Sequence, residues 1–158
     1  MLRGIDSLLT GDLLKILQDM GHGDELALVD RNFPADSVAR HTVSGMLVRD
    51  EGVDIPRMAK AILSLFPLDS FVEEPILHMQ VVGKPDERLS VHKDLHKVAE
   101  KAEGGKIKMG SIERFAFYER ARDSYAVIAC GETRPYGCFL LKKGVIFEEV
   151  GLRVHSPL

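Results

Sequence analysis

The chain has 158 residues, 45% hydrophobic and 28% charged, with a net charge of −3, two cysteines and no tryptophan. That length fits one domain over residues 1–158, large enough to bury roughly 70% of its unfolded surface. The acidic balance excludes a basic footprint for nucleic acid, and the absence of any apolar run near ~20 residues or of a signal-peptide core points to the cytoplasm.

Thr10 caps a helix from Asp12 to Met20, with Leu13, Leu14, Leu17 and Met20 on one face, and Gly21 ends it. Glu25 to Asp30 is the first strand. Its centre, Leu26-Ala27-Leu28-Val29, is continuously apolar, as in a sheet covered on both faces. Pro34 holds Phe33 extended, Asp36 or Ser37 opens a short helix, and His41-Thr42-Val43 forms a short strand. Asp54, with Pro56 in the first turn, opens a helix to about Phe66 that buries Met58, Ala61, Ile62 and Leu65.

Pro75 precedes a strand over Ile76–Val82. Asp86 caps a polar helix reaching about Ala102, with Leu89, Leu95 and Val98 inward. His92 and His96 stand four apart on it, a spacing that can bind a metal. The segment is strongly charged and shows no third ligand, so both are assigned to the surface. Lys97, Lys101, Lys106 and Lys108, interleaved with Glu100 and Glu103, form a solvated face.

Lys106–Met109 alternates like an edge strand, and Ser111 or Ile112 opens a helix over Glu113–Ala121. Tyr125–Cys130 is the strongest strand, Gly131–Gly137 a turn, and Cys138–Lys142 the last strand before Gly144. The tail with Pro157 carries no pattern. Alternation of strands and helices predicts an α/β fold, with helices on both faces of a mixed, largely parallel sheet. Cys130 and Cys138 fall on apolar segments and are expected to be reduced.

The stretch Met20-Gly21-His22-Gly23-Asp24 is the first candidate for chemistry. A histidine titrates near neutral pH, and Asp30 ends the following strand, where open α/β sheets place ligand sites. The competing reading is a solvated loop histidine between a helix-ending glycine and a turn glycine. No Gly-x-Gly-x-x-Gly, Walker loop, nucleophile elbow, Cys–His pair or zinc spacing is present. His22, Asp30, Arg114, Tyr118, Tyr136 and the polar backbone after Gly131 remain, a set of proton donors and acceptors suited to a polyhydroxylated ligand. Phe117 and Tyr118 are assigned to the core. Arg114 either binds sugar oxygens or pairs with a glutamate, and Tyr136 is either a site residue or a turn aromatic.

Gly21-His22-Gly23-Asp24-Glu25, Asp30 with Asn32-Phe33-Pro34, Arg114-Phe115-Ala116-Phe117-Tyr118-Glu119-Arg120-Ala121, and Gly131-Glu132-Thr133 with Tyr136-Gly137 and Leu141-Lys142-Lys143-Gly144 resemble the fucose mutarotase and ribose pyranase family. The likeness runs in order from about Ile5 to Val145, and the helix motif looks like the fucose branch. The ribose branch typically has histidine where Arg114 stands.

The resemblance implies cofactor-free, metal-free interconversion of the α and β anomers of a free reducing sugar, with L-fucose as the expected substrate. It implies His22 as catalytic proton donor and Asp30, Arg114, Tyr136, Gly137 and Cys138 as sugar-binding residues. The implied fold is a three-layer α/β/α sandwich, assembled into homo-oligomers from dimers to decamers with sites near subunit contacts. Asp30 either orients His22 or binds a hydroxyl. The family usually carries asparagine at position 138, and a thiol is a weaker hydrogen-bonding group than an amide. That departure bears on affinity or sugar preference. A ribose pyranase and a non-catalytic monosaccharide-binding module are the alternatives.

Overall fold

The computed structural model describes residues 1–147, so the tail with Pro157 lies outside the described residues. Thr10 accepts the Leu13 N–H through its hydroxyl at 3.3 Å and starts α1 (Gly11–Asp19), which buries Leu13, Ile16 and Leu17. β1 (Glu25–Val29) follows the glycine turn. α2 (Ala35–Ala39) is one short helix after Pro34.

The strand expected at His41–Val43 is a turn instead. The Thr42 hydroxyl donates to the Ala39 carbonyl at 2.6 Å and accepts the Gly45 N–H, which bends the chain away from any sheet. The strand comes later, as β2 (Leu47–Asp50), half-buried at the sheet edge. Asp54 accepts the Arg57 N–H at 3.0 Å and caps α3 (Ile55–Leu63), with Pro56 in its first turn.

β3 (Ile76–Met79) is shorter than its apolar run. α4 (Ser90–Glu103) begins four residues after Asp86, because the His92 ring, not a carboxylate, takes up the free Leu89 N–H at its start. β4 (Met109–Ile112) lies beyond the expected Lys106–Met109 and does form an edge. The Glu74 carboxylate lies over its Gly110, 2.1 Å from where a Cβ would stand. Glu113 caps α5 (Arg114–Arg122) by accepting the Phe115 and Ala116 N–H groups. β5 (Ala126–Cys130) and β6 (Phe139–Lys142) complete the sheet.

The strand order is β2-β5-β1-β6-β3-β4. β1 pairs in parallel with β5, β5 with β2, and β3 with β4, while β6 runs antiparallel to both β1 and β3. The sheet is therefore mixed and largely parallel. Side-chain alternation explains the continuous apolar strands. Leu26 and Leu28 join the core under α1, α3 and α4, whereas Ala27 and Val29 face α2 and α5. Both faces are dry, giving three α/β/α layers. Burying one such Leu contributes about 1.5–3 kcal/mol. No helix among the described residues is long and apolar enough to cross a membrane.

Candidate active site

His22 sits on a tightly tied turn at the amino end of β1. Lys143 just past β6 pins this turn by backbone, its carbonyl accepting the Gly23 N–H and its N–H donating to the Asp24 carbonyl, both at 2.8 Å. Its ammonium donates to the Leu17 carbonyl at 2.7 Å and to that of Met20, closing the carboxyl end of α1. Burial lowers the Lys143 pKa. Gly23 takes φ 86°, open to glycine at no steric cost. Asp24 folds back to accept the Gly21 N–H at 2.7 Å.

The His22 side chain is 46% exposed, and its Nε2 lies 3.1 Å from Oδ1 of Asp69, which is buried. Its ring leans on Phe71 at 5.3 Å. Asp69 is fixed in turn, its N–H donating to the Lys142 carbonyl and its carboxylate accepting the Phe71 N–H. Burial pushes the Asp69 carboxyl up, but the Phe71 N–H and the His22 ring outweigh it and hold the group below its ordinary value. An ionised Asp69 takes the Nε2–H, which assigns the tautomer of neutral His22 and leaves Nδ1 to exchange protons.

A second cluster lies at the carboxyl ends of the strands. Asp30 is buried. Its Oδ1 accepts the Asn32 and Phe33 N–H groups at 3.0 and 3.1 Å, and its Oδ2 accepts the Gly137 N–H at 3.1 Å and the Cys138 thiol at 3.6 Å. Burial raises the Asp30 pKa, and its hydrogen bonds only moderate the rise. Gly137 packs so closely that a Cβ would stand 3.1 Å from Glu132 and 3.4 Å from Asp30. Tyr136 adopts φ 59°, and its phenol oxygen accepts the Val82 N–H at 3.3 Å.

Arg114 opens α5 in solvent. Its Nε donates to the Tyr118 hydroxyl at 3.2 Å, and its guanidinium lies 5.5 Å and 5.6 Å from the Phe115 and Tyr118 ring centres. The Tyr118 phenol, with a smaller contribution from Tyr136, raises the Arg114 pKa. Arg114 therefore pairs with a phenol, not a glutamate, and Tyr118 belongs with the cluster as well as with the Phe33 side of the core.

The two clusters do not meet within one chain. The five residues of β1 separate them, about 16 Å at the usual strand rise. Asp30 does not orient His22; Asp69 does. Each end also presents apolar surface. Phe71 is 65% and Phe147 71% exposed beside His22, while Val82 is 61% and Phe115 66% exposed at the other end. His92 departs most from expectation. It is fully buried, stacked on His78 at 3.9 Å, with Nε2 2.9 Å from the Tyr136 carbonyl. Its position midway between Leu89 and Leu95, three residues from each, is the sequence signal for that burial. Asp69 left no such signal, since its partner lies 47 residues away.

The RbsD / FucU transport protein family matches residues 3–146. The chain belongs to this family. Among its relatives, the fucose mutarotase of Danio rerio is 46% identical over 150 residues, covering 92% of this chain and 95% of that one. The fucose mutarotase of Homo sapiens is 42% identical over 148 residues, covering 92% and 94%. A crystal structure of the fucose mutarotase from Streptococcus pneumoniae in complex with L-fucose is 38% identical, with a TM-score of 0.81 over 92% of this chain and all of that one. Family and fold agree with the resemblance carried by the sequence motifs.

Proposed function

We propose that residues 1–158 act as one cofactor-free mutarotase domain that interconverts the α and β anomers of free L-fucose. The names of the relatives support the substrate. The observation that carries the chemistry is the exposed His22 imidazole held through one nitrogen by buried Asp69. Arg114, where the ribose branch typically has histidine, favours fucose over ribose.

The reaction needs two proton transfers and no redox partner. His22, carrying protons on both ring nitrogens, delivers the one on Nδ1 to the ring oxygen and keeps the one on Nε2 for Asp69, while a water removes the proton of the anomeric hydroxyl. The bond between the anomeric carbon and the ring oxygen breaks, and its electrons stay on that oxygen. The open-chain aldehyde turns about its first carbon–carbon bond and recloses on the other face, returning both protons. General acid–base groups supply ~10²–10⁴-fold for such steps. Arg114 stays charged and donates hydrogen bonds to sugar oxygens, and it is no acid at neutral pH. The Tyr136-Gly137-Cys138 segment offers the phenol and backbone groups. Asp30 already accepts four hydrogen bonds, so it serves the sugar chiefly by shaping that segment.

His22 and the Asp30–Arg114–Tyr136 cluster come together only if one copy supplies the histidine and another the cluster. The exposed apolar side chains at both ends support such a contact, and monomers seldom leave patches of this kind bare. The working form in this reading is a homo-oligomer. A cytoplasmic place fits its two buried free thiols.

Saturation-transfer NMR on L-fucose, D-ribose and D-galactose tests the reading. Anomer exchange of fucose should be faster with the protein than without, and faster than for the other two sugars. Equal fucose exchange with and without protein overturns the reading. Fucose binding by calorimetry without faster exchange leaves a sugar-binding module, and preferred acceleration of ribose leaves a pyranase.

A further inference from the structure

One peptide of the strand-end loop is gripped from both sides. The carbonyl of Tyr136 faces His92 Nε2 at 2.9 Å, and the N–H of the same peptide, belonging to Gly137, donates to Asp30 Oδ2 at 3.1 Å. A trans peptide points these two groups in opposite directions, so the two contacts together fix its plane. That peptide follows Tyr136, whose left-handed conformation, φ 59°, a non-glycine residue seldom adopts without support. From there the phenol reaches the Val82 N–H.

His92 is built for this task. It is fully buried on α4, packed face to face with His78 at 3.9 Å and edge-on to Phe139 at 5.8 Å. Its Nδ1 accepts the Leu89 N–H at 3.1 Å, so its one proton resides on Nε2 and is donated to the Tyr136 carbonyl. Neutral imidazole accepts on one side and donates on the other across a rigid ring. His78 is anchored separately, its Nδ1 on the Met79 carbonyl at 3.0 Å. The charged group of the surrounding elements that bears on both rings is Arg88, which further disfavours protonation of either.

We infer that His92 is a positioning residue for sugar binding, setting the Tyr136–Gly137 peptide through its Nε2–H without touching the sugar. The inference rests on the mutarotase reading. It assigns a role in ground-state binding, in contrast to the proton transfer of His22. Loss of the Nε2–H frees the peptide to rotate, Tyr136 can then leave its left-handed conformation, and the phenol and backbone groups lose register with the sugar.

The test is the concentration dependence of fucose anomer exchange for wild type, His92→Leu and His92→Gln. Leucine fills the space without a donor, and glutamine restores donor and acceptor. His92→Leu should raise KM at least about tenfold with a smaller change in kcat, and His92→Gln should return KM to within about threefold of wild type. An unchanged KM in His92→Leu, a fall in kcat as large as the rise in KM, or no recovery in His92→Gln overturns the inference. Should His92→Leu not fold, the nitrogen-15 spectrum of the wild-type imidazoles decides: a proton on Nε2 of His92 at neutral pH supports the clamp, and one on Nδ1 overturns it. Wild type that fails to accelerate fucose exchange at all overturns the mutarotase reading, and the nitrogen-15 spectrum still judges the clamp by itself.

Discussion

His22 and Asp30 stand at opposite ends of one five-residue strand, each engaged by its own partners: Asp69 for the histidine, the Gly137 N–H and Cys138 thiol for the aspartate. The strand is too long for a single sugar to touch both. In the proposed mechanism the proton donor and the sugar-binding cluster therefore lie at opposite ends of the sheet, and a working site needs two copies of the chain.

In the proposed mechanism Asp69 orders His22 as the acid–base group. Asp69→Asn keeps the acceptor for the Phe71 N–H but loses the charge that holds the His22 ring in one tautomer. The fucose exchange rate should fall about tenfold to a hundredfold, less than the ~10²–10⁴ expected for His22→Ala. Native Asp69 has a lowered pKa, so its stabilising contribution is present above the ordinary carboxyl value and is lost as pH falls through the lower folded value. Its ionisation therefore does not shape activity near neutral pH. Saturation transfer across pH 5–8 checks both points, and an Asp69→Asn rate equal to wild type removes Asp69 from the mechanism.

Burial, with His78 alongside, draws the His92 pKa down to about 4. An unfolded histidine titrates near ~6.5, so between these values the unfolded chain binds the extra proton. Stability should therefore fall as pH drops from about 6.5 towards about 4, by an amount of order 3 kcal/mol from this group. Urea midpoints at pH 7 and pH 5 should differ more for wild type than for His92→Gln. Equal differences in the two proteins would mean that His92 is not held neutral.

Both thiols are muted. Burial pushes Cys130 up to about 12, and burial with the neighbouring Asp30 charge pushes Cys138 well above the ordinary thiol value. Ellman's reagent at pH 8 should find neither in the folded protein and both after unfolding. Labelling of Cys138 in the native state would contradict its placement. Because the Cys138 thiol is buried and aimed at Asp30, and a serine hydroxyl keeps a donor to that carboxylate, Cys138→Ser should preserve fucose kcat/KM within about threefold. The contrast between this thiol and the asparagine usual in the family then matters little for sugar affinity.

The elements legible from sequence are those with local signals: α1 behind Thr10, α3 behind Asp54 and Pro56, and the unbroken apolar runs of β1 and β5. β2 escaped because Arg49 and Asp50 give an edge strand no apolar alternation, while Thr42 and Val43 nearby look more strand-like. Lys93, Asp94 and His96 around His92 disguised a buried ring as part of a charged face. At the candidate site, the motif residues could be named in advance. Their arrangement could not, because the His22–Asp69 and Tyr136–His92 contacts join distant parts of the chain and are set by packing.

In the proposed mechanism the site is shared between copies, with His22 from one and the Asp30–Arg114–Tyr136 cluster from the next. His22→Ala and Arg114→Ala should each lose most fucose exchange alone. Co-expressed in equal amounts, they should assemble so that about a quarter of the contacts join an intact His22 to an intact Arg114, and exchange should recover to about that share of wild type. A co-expressed mixture no more active than the two variants measured apart would contradict the shared site.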